Sequence, residues 1–169
     1  MALWRASGFV DDSYAMVGDA EALPSDGAII VTAARWAKDR AALDGRVDPV
    51  GVAIAPGKDA EARLAEAAQR PLIALAFPKF GDGRAYSLAR LLRERHGFTG
   101  ELRATGDVLL DEMPLMQRCG FTSFEVTDAN TLRALKEGRL PKGALFYQPA
   151  PGQREAPAGT RPWLRRAAS

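Results

Sequence analysis

Leu72-Ile-Ala-Leu-Ala-Phe77, then Pro78-Lys-Phe-Gly-Asp-Gly83, then Arg84-Ala-Tyr-Ser-Leu-Ala-Arg-Leu-Leu-Arg-Glu-Arg95: these three consecutive segments set the architecture. The first is apolar with nearly no polar alternation, the pattern of a strand covered on both faces. The second carries a proline and two glycines and makes a turn. The third repeats Leu88, Leu91 and Leu92 at spacings of three and four, so it predicts a helix with Arg90, Arg93 and Arg95 on its other sides. A buried strand running through a turn into an amphipathic helix is the unit of α/β proteins, which place working groups in such turns.

The same unit recurs along the chain. Six short apolar or β-branched runs stand out: Ala28–Val31, Val50–Ile54, Leu72–Phe77, Glu101–Thr105, Ser123–Val126 and Ala144–Tyr147. They start about 21 to 29 residues apart, the length of one strand–helix repeat. Helical patterns lie between them over Ala33–Leu43, Asp59–Gln69, Arg84–Arg95, Asp111–Cys119 and Asp128–Glu137. Glycine stands at or shortly beyond several of their ends, where a left-handed cap suits it. Asp107 or Asp111 is the expected cap of the fourth helix and Asp128 or Asn130 of the fifth. The fold class is therefore α/β, with about six strand–helix units and a mainly parallel sheet. Two closures compete, a partial barrel of the TIM type and an open three-layer sheet; the Gly106–Val126 stretch leans toward the barrel. Phe9-Val10 and Tyr14–Val17 read as short strands or a capping hairpin.

Residues 1–150 form one α/β domain by this reading, and 151–169 a disordered basic tail rich in proline, glycine and alanine. The tail holds four arginines and one glutamate, which leaves 19 basic against 20 acidic residues before it. The body thus lacks the basic footprint of a nucleic-acid binder, and none is expected as a partner. No apolar run approaches the ~20 residues that span a bilayer, and the N-terminal residues do not resemble a signal peptide, so the expectation is a cytoplasmic protein with no membrane partner.

The Pro78–Arg84 turn gathers Lys79, Asp82 and Arg84. On one reading Lys79 and Arg84 hold an anion at the start of the following helix, with Asp82 orienting Arg84. On the other, Asp82 caps the helix, the glycines make the turn and Lys79 is solvated. The turn has neither the P-loop nor the dinucleotide-binding glycine pattern, so nucleotide binding gains no support. Arg103 and Asp107 bracket the end of the fourth run and are expected on the same edge. Arg103 sits within a strand pattern and needs a carboxylate such as Asp82, Asp107 or Glu125. Cys119 ends a helix pattern, where the dipole opposes a thiolate, and reads as core. His96 likewise reads as a helix-end partner. Asp11-Asp12 have no evident partner, and no metal site is inferred.

Phe77-Pro-Lys-Phe80, Asp82-Gly-Arg84, Tyr86-Ser87, Ala89–Arg95, Gly100–Ala104, Gly106–Leu109 and Arg118-Cys-Gly-Phe121 together resemble the bacterial domain-of-unknown-function family 934, over roughly the central third of the chain. The sequence departs from the family pattern at Gly81 and at Glu112-Met113. Members of that family are often labelled oxidoreductases and their genes lie beside that of assimilatory sulfite reductase. The resemblance therefore implies an accessory role in sulfite reduction, with sulfite reductase as partner; if the protein acts by binding the reductase, Arg84 and Arg90 are the expected contact residues. It transfers no catalytic residues. No cofactor is evident in the residues themselves, and a redox role requires a bound flavin or a partner's cofactor.

Overall fold

The computed structural model describes residues 1–79 and 81–141, and the backbone at 145–146 and 165–166. An eight-stranded sheet runs through it in the order β2-β1-β8-β7-β6-β5-β4-β3. The strands are β1 (Ala2–Arg5), β2 (Gly8–Val10), β3 (Tyr14–Val17), β4 (Ala28–Thr32), β5 (Val50–Ile54), β6 (Leu72–Phe77), β7 (Glu101–Gly106) and β8 (Ser123–Val126). From β3 to β8 all neighbours are parallel, whereas β1 pairs antiparallel with both β8 and β2. The helices are α1 (Ala33–Lys38), α2 (Arg40–Asp44), α3 (Ala60–Ala67), α4 (Arg84–Glu94), α5 (Met113–Arg118) and α6 (Ala129–Lys136).

Five of the six expected runs are strands of this sheet. The sixth is not: Leu145–Phe146 (β9) pairs instead with Arg165–Arg166 (β10). The sixth parallel strand is β3, from the N-terminal segment, and β1–β2 is the hairpin that closes the other edge. The sheet is accordingly mixed, not a plain series of repeated units. Apart from Arg165–Arg166, the expected tail at 151–169 lies outside the described residues.

Alternate residues along each strand decide the layering. Ile29, Val31, Val52, Ile54, Ile73, Leu75, Phe77, Leu102, Ala104 and Phe124 share one core with Trp36, Leu43, Leu64, Leu88, Leu92, Met116 and Leu135 of the helices. The opposite face carries a separate small cluster of Ile30, Leu72 and Ala74 with no helical member. All six helices thus cover one face, which follows from parallel strands lying in chain order with no reversal. That excludes the open three-layer sheet.

The curl follows from a distance. Laid flat, β2 and β3 would stand roughly 34 Å apart at the usual strand spacing. They are joined by Asp11–Ser13 alone, and four Cα steps reach at most ~15 Å. The sheet therefore bends into a half-barrel with the helices outside. Its concave face is narrow: a Cβ at Gly51 would lie 2.8 Å from Leu72 Cδ2 and 3.2 Å from Ile30 Cγ1.

Local signals explain the helix limits. The expected Ala33–Leu43 helix is two, because Asp39 leaves the helical region (φ −105°, ψ 25°) and turns its carboxylate back onto Arg35. Asp128 caps α6 through Thr131 N at 2.7 Å. Neither Asp107 nor Asp111 caps α5, whose cap position is Glu112 without a side-chain bond; Pro114 does stand in its first turn.

Arg103 projects from β7 into the concave face with its side chain 1% exposed. Asp12, in the β2–β3 connection, receives two bonds from it at 2.6 and 3.0 Å, and Glu101 receives two more at 3.1 and 3.0 Å. Burial pulls the guanidinium pKa down, but these carboxylates more than offset it and leave it raised. Asp12→Ala should cost about 2 kcal/mol, since one carboxylate of a buried arginine is lost while Glu101 remains. Urea denaturation measures this, and an unchanged midpoint would show that the connection is held by other means.

Candidate functional site

The β6–α4 turn is anchored from beneath. The Phe77 ring packs edge-on against Tyr86 of α4 at 5.1 Å and against Phe121 at 5.6 Å. Gly106 holds the neighbouring end of β7 at φ +85°, where an added Cβ would lie 2.4 Å from Phe77 O. Asp107 N–H donates to that same oxygen at 2.8 Å. The carboxyl ends of β6 and β7 are thereby fixed to one another.

Within the turn Gly81 takes φ +83°, a conformation that side chains resist. Asp82 N–H donates to Lys79 O at 3.2 Å, and Lys79 is exposed. Gly83 occupies the cap position of α4. Asp82 clasps Arg84 instead of capping the helix fully: Arg84 Nε and Nη2 donate to its two oxygens at 2.9 and 2.7 Å, and Arg84 N approaches at 3.3 Å. The Arg84 side chain remains 61% exposed while that of Asp82 is 7% exposed. The hydrogen bond from the Arg84 guanidinium holds the Asp82 carboxyl down at about 2, against an ordinary 3.8. Nearly two turns along α4, Arg90 donates to Glu94 at 2.8 Å on the surface. Asp107 is exposed at the β7 end.

Lys79, Asp82, Arg84 and Asp107 therefore lie at the carboxyl edge, and Arg90 lies on the surface of α4. Arg103 does not join them. Strand alternation turns it into the half-barrel, and its partners are Asp12 and Glu101, not Asp82, Asp107 or Glu125. Ser123 Oγ and Arg5 Nη2 complete this interior network on Glu101, each at 2.6 Å. Tyr14 lies 5.8 Å below the Arg103 guanidinium, and burial, with the Glu101 charge, pushes its hydroxyl pKa up. Asp12, which looked unpartnered in the sequence, is thus half of the interior ion pair.

Sequence reading also missed a cavity of about 420 Å³ at the carboxyl mouth of the half-barrel. Met16 and Asp19 reach it from β3 and its end, Thr32 from the end of β4, and Ala53 and Ile54 from β5. Ala76 of β6, Thr105 of β7 and Arg63 of α3 line it as well. Thr32 Oγ donates to Asp19 at 2.5 Å and accepts from Arg35 N at 3.0 Å. Among the described residues the Arg63 guanidinium donates once, to Ala33 O at 3.2 Å. The signal that could have found this cavity is strand alternation: Thr32, Ala53, Ala76 and Thr105 all fall on inward positions at strand ends.

Cys119 is buried in the core, and burial pushes its thiol up, away from thiolate chemistry. Burial also raises the Glu112 carboxyl, with Asp111 adding to the effect. Among the described residues no three His, Cys, Asp or Glu side chains gather as a metal site would require. No helix among them is long and apolar enough to cross a membrane.

A family model described as a bacterial protein of unknown function, DUF934, matches residues 51–158. The chain belongs to this family. The matched span opens in β5 and takes in the β6–α4 turn, Arg63, Arg103 and Thr105, and leaves β1 to β4 before it. Neither the curated proteins nor the solved structures give a match.

The Asp82–Arg84 clasp has a pH signature. A folded-state pKa near 2 means that the clasp contributes fully above the ordinary value of 3.8 and is lost as pH falls through about 2. In an NMR titration Asp82 should protonate near 2 in the native chain. In Arg84→Gln it should return toward 3.8. An Asp82 midpoint that does not move on this substitution refutes the clasp.

Proposed function

We propose that this protein is an accessory factor of assimilatory sulfite reduction, and that it acts by binding sulfite reductase or assisting electron delivery to it. The observation that supports a binding role is the outward presentation of Arg84. Its charge is oriented by a carboxylate, yet most of its side chain stands in solvent, on a turn anchored to the core through Phe77. A fixed, exposed guanidinium is a suitable contact for an acidic partner surface and loses little conformational freedom on binding. Lys79 beside it and Arg90 on α4 extend the same character, and Asp107 completes the candidate set at the edge. The pathway itself is what the resemblance to the family implies, and this surface is the contact proposed for it. The half-barrel, with parallel strands in chain order, supports a TIM-like reading of the scaffold, in which loops at the carboxyl edge carry function.

The alternative of a small-anion site at this edge is weaker. Arg103 is committed to Asp12 and Glu101, and Asp82 is spent on Arg84.

The purified protein and sulfite reductase should associate at micromolar concentration in biolayer interferometry. Arg84→Glu with Arg90→Glu should weaken binding about 10- to 100-fold, chiefly where contacts are close and desolvated. Deleting the gene should impair growth on sulfate and spare growth on cysteine. No association, together with normal growth on sulfate, would refute the assignment.

A further inference from the structure

We propose that the mouth of the half-barrel binds a small carboxylic acid carrying an amino or hydroxyl group beside its carboxylate. Arg63 holds the carboxylate, and Asp19 and Thr105 accept from the neighbouring donor.

The cavity has the position and volume of a ligand site: about 420 Å³, at the carboxyl ends of parallel strands. Its floor and walls are Ala53, Ile54 and Ala76, with Met16 at the rim, 55% exposed. Such walls suit a compact apolar body. Its polar groups then fix what that body must carry.

Arg63 supplies the donors. Three buried or half-buried arginines near the sheet are consumed: Arg35 by three carbonyls and Asp39, Arg93 by the carbonyls of Phe98, Gly100 and Gly120, and Arg103 by two carboxylates. Arg63 has one carbonyl, and no carboxylate among the described residues lies within ion-pair distance of it. A guanidinium has five N–H groups in a planar fork that fits a carboxylate. Four of them have no partner among the described residues.

Asp19 and Thr105 supply acceptors. One Asp19 oxygen takes the Thr32 hydroxyl. The Thr105 hydroxyl, which lines the cavity, donates to Leu75 O at 3.5 Å and keeps lone pairs with which to accept. A site with one cationic fork and a carboxylate on its rim disfavours a dianion such as phosphate or sulfate. It favours a monoanion whose second polar group donates. An α-amino acid and an α-hydroxy acid share that chemistry, and the charge on Asp19 separates them, because an ammonium gains from it where a hydroxyl gains less.

This inference stands independently of the reductase assignment, since it uses a different surface and needs no partner. The test is thermal unfolding of the full chain with L-alanine, L-lactate, propionate, phosphate or sulfate. For a dissociation constant of about 0.1 mM, about 10 mM ligand raises the melting temperature by roughly 5–10 °C. L-Alanine or L-lactate should produce this shift, and propionate and the two inorganic anions less than half of it. Arg63→Gln should abolish it. Ala76→Leu, which fills the cavity and leaves Arg63 in place, should abolish it too, with an unliganded melting temperature that reports an intact fold. If L-alanine is the better ligand, Asp19→Asn should remove its advantage. No shift with either acid overturns the proposal, as does an equal shift from phosphate or sulfate, or a shift that survives in Arg63→Gln.

Discussion

A buried guanidinium requires carboxylates, and here that requirement shapes the molecule. Arg103 leaves β7 on the face that no helix covers, so it depends on what the sheet itself brings near. Glu101, two residues earlier on the same strand, supplies one carboxylate, and Asp12, 91 positions away, supplies the other. Asp12 reaches Arg103 because the segment joining the two edge strands crosses the open side of the sheet. Replacing such a pair with well-packed apolar groups is often neutral or stabilising, so its value here lies in specification more than in net energy. It places the N-terminal segment in one position, with β1–β2 on one edge and β3 on the other.

Once the curl is set, side-chain size on the concave face follows. Helices on the convex side receive Ile, Val, Leu and Phe from alternate strand positions, and these make one continuous core. The concave positions converge, and they carry Gly51, Ala53, Ala74 and Ala76, with larger Ile30 and Leu72 where the cluster closes. Toward the carboxyl ends the small residues leave the mouth open. The cavity is thus a consequence of closing a sheet over residues too small to fill it.

The βα alternation was legible because the strands from β4 to β8 are short apolar or β-branched runs, and helical patterns lie between them. The N-terminal strands were not. Tyr14-Ala-Met-Val17 and Gly8-Phe-Val10 are too short for periodicity to identify, and their placement depends on Asp12 finding Arg103 across the fold. Leu145–Phe146 shows the reverse failure: an apolar run with strand composition that pairs outside the sheet. The edge beside β8 is held by β1. In the same way the Pro78–Arg84 turn announced its charges by their density. The mouth residues Asp19, Thr32, Arg63 and Thr105 are spread over 87 positions, and folding alone assembles them.

Arginine is frequent in this chain, and its frequency says little; the partner of each guanidinium says what it does. Arg35 and Arg93 take up loop carbonyls that no strand satisfies, which is structural work. Arg103 joins distant segments. Arg84 and Arg90 are held by a neighbouring carboxylate yet remain in solvent, so their charge is oriented without being buried, as a docking surface requires. Arg63 combines a cavity, an unfilled set of donors and no carboxylate of its own among the described residues. Keeping most donors of a guanidinium unmatched at the wall of an apolar cavity lowers stability unless water or a ligand completes them. Arg35, Arg93 and Arg103 are matched by carbonyls or carboxylates, whereas Arg63 keeps open donors at the carboxyl mouth, where an anion would complete them.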